Sequence, residues 1–167
     1  SGIAVAPHDG DTREILVASA DLALYAAKNG GRGQFRFFSS ELKDEAQERT
    51  LLANDLREAL SRDELELHYQ PVIRIEDNIV VGFEALMRWN HPERGPIAPS
   101  VFIPIAEETN LIVALGEWSL RKACSDAVNW PEDVRLAVNV SPVQFAMPGF
   151  VTTVAAALSQ SGIMAGR

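Results

Sequence analysis

The stretch FEALMRWNHPERG, Phe83 to Gly95, governs how the second half of this chain reads. Its first seven residues are those of a strand, and the rest are turn formers. Side chains alternate across a strand. Phe83, Ala85, Met87 and Trp89 therefore share one face, while Gly82, Glu84, Leu86 and Arg88 share the other. The first face is apolar and is expected to lie under helices. The second carries a carboxylate and a guanidinium four residues apart, toward the C-terminal end. Burying such charges is costly unless they have partners. They face either water or something that needs them.

The flanking segments extend the pattern. ELHYQPVIRI and NIVVGFEALMRW are joined across Glu76-Asp77-Asn78, so short a turn that they read as an antiparallel hairpin. On the first of these strands Glu66, His68 and Gln70 oppose Leu65, Leu67 and Tyr69. NHPERGPIAPS reads as a Pro/Gly loop. Ser100 is the expected cap of a helix over VFIPIAEETNL, where Pro104 is tolerable only in the first turn. A second helix is expected from about Val113 to Asn129, ended by Trp130-Pro131. RLAVNV is a strand with Leu136, Val138 and Val140 on one face and Ala137, Asn139 and Ser141 on the other. An apolar helix follows over about 150–160, ending at Gly162. Strands alternating with helices predict an α/β barrel or open sheet. Three strands do not close a barrel, so the reading is of a partial one.

Each of the three strands offers a polar group late in its run: Gln70, Glu84 with Arg88, and Asn139. Carboxylate and carboxamide oxygens are hard ligands suited to Mg²⁺ or Mn²⁺, and Arg is a natural partner of phosphate oxygens. The set points to metal-assisted phosphate chemistry at the strand ends. On pattern alone, the solvated face of an antiparallel sheet accounts for the same alternation.

Upstream, SGIAVA is a short apolar strand, PHDGD a turn, and residues 12–28 a helix with Ile15, Leu16, Leu22 and Tyr25 at helical spacing. Gly30, Gly31 and Gly33 end it, and QFRFF alternates like a strand. Residues 39–62 read as one charged helix, capped by Ser40. Its stripe is Leu42, Ala46, Leu52, Leu56 and Leu60, with Glu45–Arg49 and Glu58–Arg62 as i,i+4 pairs. It is a candidate connector between two domains, and one that is able to pair with a second copy in a homodimer.

Composition narrows the function classes. The 167 residues carry a net charge of −8, which argues against binding polymeric nucleic acid but not against a small phosphate ligand in a local basic pocket. The single Cys124 rules out an internal disulfide and fits a reducing, cytoplasmic location. No run approaches the roughly 18 apolar residues of a membrane span, and the start lacks a signal-peptide pattern. The chain reads as a piece of something longer, in which upstream segments could anchor it to the inner membrane.

VGFEALMRWNHPERGPIAPSVFIPIAEETNLI, with YQPVI before it and LAVNVSPVQF after it, resembles the signature of bacterial EAL domains. The resemblance covers 63–167, about the first half of such a domain. SGIAVAPHDGD and SADLALYAAKNGGRGQFRFF, within 1–38, resemble the C-terminal end of a GGDEF domain, the diguanylate cyclase fold. The connector at 39–62 sits where the linker of a GGDEF–EAL tandem would. The resemblance implies an α/β fold with three parts: the last strand–helix–strand of GGDEF, the connector, and a partial TIM-type barrel whose first strand is antiparallel. It implies a cyclic di-GMP phosphodiesterase that forms linear 5′-pGpG with Mg²⁺ or Mn²⁺. By motif match Glu84 and Asn139 are metal ligands. Arg88 holds a phosphate, Gln70 contacts substrate beside the metals, and Leu86 walls the site. Lys28 and Arg32 match GGDEF positions that contact nucleotide phosphates. The remaining carboxylates and the catalytic lysine of the EAL family fall beyond residue 167, so no catalytic base is expected within this chain. An EAL-type receptor without catalysis, and an interaction scaffold that binds no nucleotide, are the competing readings.

Overall fold

The structure is a computed structural model that describes residues 1–31 and 33–167. The described residues divide into two compact units, Ser1–Leu52 and Ala53–Arg167.

In the first unit, strands β1 (Gly2–Ile3) and β2 (Arg36–Phe37) pair in parallel, with helix α1 (Arg13–Asn29) between them in sequence. Thr12 caps α1 by accepting the Ile15 N–H at 3.3 Å. The buried residues of α1 are all small: Ser19, Ala23 and Ala27. β1 lies so close to α1 that a Cβ on Gly2 would sit 2.0 Å from the Ala20 carbonyl oxygen. Helix α2 (Ser40–Ala59) follows, and the division between the units falls within it. Ser40 is the first helical residue rather than the cap. The Leu42 N–H bonds to the Ser39 carbonyl at 3.1 Å, which gives Ser39 the capping position.

The second unit is built on β3 (Leu65–Arg74) and β4 (Ile79–His91), an antiparallel hairpin turning through Asn78 at φ 57°. Asn tolerates that left-handed conformation better than most residues. Residues 95–97 do not remain in the loop expected there. They form β5 (Gly95–Ile97), which returns antiparallel along the end of β4. His91 makes the tight return possible. Its Nδ1 accepts the N–H groups of Glu93 and Arg94 at 3.1 and 3.3 Å, which leaves Nε2 to donate to Asp55 on α2 at 3.2 Å. His91 is thus a buried structural residue, invisible as such in a sequence where it stands alone.

After β5 come α3 (Pro99–Glu108) and α4 (Leu111–Ala127), then β6 (Arg135–Val138), parallel to β4. Ser100 does not cap α3. Ala98 holds that place without a side-chain bond, and Pro99 fills the first helical position. Pro104 consequently lies in the second turn, where its missing N–H and ring cost on the order of 3 kcal/mol. Burial of Phe102, Ile105 and Ala106 offsets this, at roughly 1.5–3 kcal/mol for each large apolar side chain. Short helix α5 (Pro142–Phe145) and helix α6 (Phe150–Ser161) complete the unit, with Gly162 in the left-handed cap position.

The expected faces hold. Ala85 and Trp89 are buried on the helix side, and the Trp89 ring meets Phe102 edge-on at 5.8 Å. The Trp89 indole N–H donates to buried Glu64 at 3.0 Å, giving that carboxylate a partner. Tyr69 and Phe83 pack on Trp130, whose neighbours Leu120, Cys124, Ala127, Ala157 and Ile163 form the second part of the core. Burial raises the Cys124 thiol, as expected of a packing cysteine.

Candidate functional site

The polar face of the sheet is assembled by register. Gln70 is the cross-strand partner of Glu84, His68 of Leu86, and Glu66 of Arg88. Direct partners in an antiparallel pair project to the same side, so these six residues share one face. In the parallel pair, Glu84 stands opposite Ala137. Asn139, two residues further on, projects to the same side just beyond the last strand residue, Val138. There its Nδ2 donates to Glu84 Oε1 at 2.6 Å. Two residues 55 positions apart in sequence thus meet as a carboxylate–carboxamide pair.

Arg88 donates to the Met87 carbonyl at 2.9 Å and faces the cross-strand carboxylate of Glu66. Hydrogen bonds from Asn90 and His68, both at 2.9 Å, hold the Glu66 carboxyl below its ordinary range. The far end of the face is therefore a small polar network around Glu66, with Arg88 across from it.

Beside the pair lies a cavity of about 300 Å³. That is near the lower end of the range for small-molecule pockets, about 300–1,000 Å³. Leu86, Arg88 and Asn139 line it, together with Glu107 from α3, Gly116 from α4, and Ser141 and Gln144 at the start of α5. Glu84 adjoins this cavity through Asn139, whereas Gln70 lies exposed on the open sheet face. The structure thus brings Glu84, Asn139, Leu86 and Arg88 together, with Gln70 one strand away.

Glu107 and Gln144 are not singled out in the sequence, and Ser141 stands out only as a neighbour of Asn139 on the polar strand face. Ser141-Pro142-Val143-Gln144 has the form of a capping box. The helix it starts is only four residues long, so no apolar periodicity announces it. Glu107 carries no local signal at all. In the first unit, Lys28 lies exposed in the last turn of α1, and Arg32 falls outside the described residues.

The donor chemistry fits a hard divalent cation. The second carboxylate oxygen of Glu84 and the amide oxygen of Asn139 are both hard ligands. Among the described residues there is no group of three or more His, Cys, Asp or Glu able to hold a metal. Glu84 and Asn139 therefore offer one carboxylate and one carboxamide oxygen, an incomplete set of hard ligands.

The EAL domain family profile matches residues 53–167. An uncharacterized signaling protein of Caulobacter vibrioides is 51% identical over 166 residues, 99% of this chain and 20% of that protein. The bifunctional diguanylate cyclase/cyclic di-GMP phosphodiesterase MucR of Pseudomonas aeruginosa is 47% identical over 161 residues, 94% of this chain and 24% of MucR. The solved PaMucR phosphodiesterase in complex with c-di-GMP superposes with a TM-score of 0.64 at 44% identity, over 68% of this chain and 47% of that one. The chain spans only about a fifth to a quarter of the length of these curated relatives. With the family profile covering more than half of its residues, the chain belongs to the EAL domain family.

Proposed function

We propose that the protein carrying this chain is a cyclic di-GMP phosphodiesterase that opens its substrate to linear 5′-pGpG with Mg²⁺ or Mn²⁺. We also propose that the 167-residue chain alone does not turn it over. The Glu84–Asn139 pair at 2.6 Å, next to the cavity that Arg88 lines, carries this reading. Relatives and structural neighbours named as cyclic di-GMP phosphodiesterases or solved with c-di-GMP support it.

In this reading Glu84 and Asn139 would hold the cation. When bound, the cation lowers the pKa of a water and neutralises charge on the scissile phosphate. Arg88 contributes a fixed guanidinium for a second phosphate, Gln70 contacts the substrate from the neighbouring strand, and Leu86 forms an apolar wall. Two protein oxygens orient a cation weakly, and no residue of this chain is assigned the role of general base. Both points argue against turnover by the chain alone. Residues 1–38 are read as the end of a GGDEF domain, 39–62 as the connector and 63–167 as the first part of a TIM-type EAL barrel. The alternation of short strand, helix and strand in β1-α1-β2 supports the first of these.

The test compares the full-length protein with the 167-residue chain in a cyclic di-GMP hydrolysis assay with Mg²⁺. The full-length protein is expected to release 5′-pGpG, Glu84→Ala to abolish that release, and the chain alone to release none. Turnover by the chain that disappears in Glu84→Ala would overturn the proposal of inactivity. Binding without hydrolysis by the full-length protein would make it a receptor. Absence of binding with and without Mg²⁺ would make it a scaffold.

A further inference from the structure

We propose that Glu107 is a positioning residue that aims the Asn139 carboxamide at Glu84, acting through Ser141. The inference rests on the reading of Asn139 and Glu84 as a working pair, and it concerns what keeps them in place.

Asn139 lies beyond the ladder. The last register partners of β4 and β6 are Ala85 and Val138, so the sheet stops holding the backbone one residue before Asn139. Val140 separates it from Ser141, and there the chain is fixed again. Ser141 Oγ donates to Glu107 Oε1 at 2.6 Å. Ser141 Oγ in turn accepts the Val143 N–H at 3.2 Å, and Gln144 Oε1 accepts the Ser141 N–H at 3.2 Å. A hydroxyl that gives its proton to a carboxylate makes a short, charge-assisted bond. That bond sets the hydroxyl rotor and leaves its lone pairs toward the α5 amides.

Helix electrostatics do not explain Glu107. It sits in the last turn of α3, where the macrodipole disfavours a carboxylate. Its bond to Ser141 supplies the missing reason. Gln144 is held as firmly. It is 5% exposed, and a Cβ on Gly116 of α4 would lie 1.8 Å from its Nε2. α3 and α5 therefore meet at Ser141, two residues from the carboxamide, and α4 closes on Gln144 beside it.

The experiment uses ¹⁵N-labelled chain and follows hydrogen exchange of the Asn139 side-chain amide by NMR. Glu107→Ala is expected to speed that exchange about tenfold, with the backbone amides of Leu115 and Ala123 in α4 unchanged. Glu107→Gln keeps an acceptor for the Ser141 hydroxyl and is expected to restore the rate to within about twofold. Glu107→Met, of similar length without the acceptor, is expected to behave like Glu107→Ala and serves if the alanine variant does not fold. Unchanged Asn139 exchange in both Glu107→Ala and Glu107→Met would overturn the inference. So would failure of Glu107→Gln to rescue, or an equal acceleration at Leu115 and Ala123, which would mark Glu107 as a stability contact only. Mn²⁺ broadening of the Asn139 resonance, lost in Glu84→Ala, reports the metal reading separately. Its absence from the unmutated chain would remove the metal from the site, while the exchange measurement would still decide the role of Glu107.

Discussion

Single residues show how closely this unit is packed around the site. Gly116 is the sharpest case, because Gln144 occupies the space a side chain would take. Gly116→Ala is expected to push Gln144 from its capping position and destabilise the chain by about 1–3 kcal/mol, the usual range for overpacking. A urea titration followed by tryptophan fluorescence checks this, and a midpoint equal to that of the unmutated chain would show that Gln144 moves aside freely. Glu84 and Arg88 raised the opposite concern, since charges on an apolar strand read as misplaced. Register resolves it. Glu84 faces Gln70 and meets Asn139, while Arg88 faces Glu66. Alternation of side chains was legible in the sequence. That Asn139 would come within a hydrogen bond of Glu84 was not, because 55 residues separate them.

Elements are joined by polar staples as well as by the core. The Tyr69 hydroxyl on β3 donates to Asp126 on α4 at 2.7 Å, and Lys122 pairs with the same carboxylate at 2.6 Å. Burial and this bond push the Tyr69 phenol above its ordinary range. Burial opposes the charge on Asp126, but the hydrogen bonds from Lys122 and Tyr69 outweigh it and lower that carboxyl. The signs follow from linkage. A lowered folded pKa means that the Asp126 contribution is complete above its unfolded value, about 3.9, and is lost as pH falls through the folded value. A raised one means that the Tyr69 contribution is complete below about 10 and is lost as pH rises further. Tyr69→Phe is expected to cost about 1 kcal/mol at neutral pH, to flatten the alkaline loss and to shrink the acid one. Denaturation midpoints measured across pH check all three, and an unchanged acid limb would separate Asp126 from Tyr69. Element type was largely readable from periodicity, as α1, α4 and the β3–β4 hairpin show. β5 and α5 were not, because three or four residues offer no period to detect. Their geometry comes from His91 and from the Ser141 capping box.

Across the whole molecule the two units differ in what they bury. The first buries small residues of α1, whereas the second buries Trp89, Phe102, Leu56, Ile105 and Leu115. Apolar area removed from water sets most of the resistance to opening. The amides of α1 are therefore expected to exchange through openings of lower free energy than those of β4 and α4. Native-state hydrogen exchange checks this, and equal protection in α1 and β4 would mean that the units open as one. Among the described residues no helix is long and apolar enough to cross a membrane.

The sequence by itself determined the alternation of strands and helices, the antiparallel hairpin, which side of each strand is apolar, and the EAL motif. All of these depend on near neighbours, or on patterns with a period of two or about four. The tertiary structure decided which polar residues meet. Glu84 found Asn139, Tyr69 found Asp126, and Glu107 found Ser141 across separations of 55, 57 and 34 residues. Such contacts depend on strand register and on where helices cross the sheet. Those are set by the packing of the whole unit, and no local window of sequence contains them.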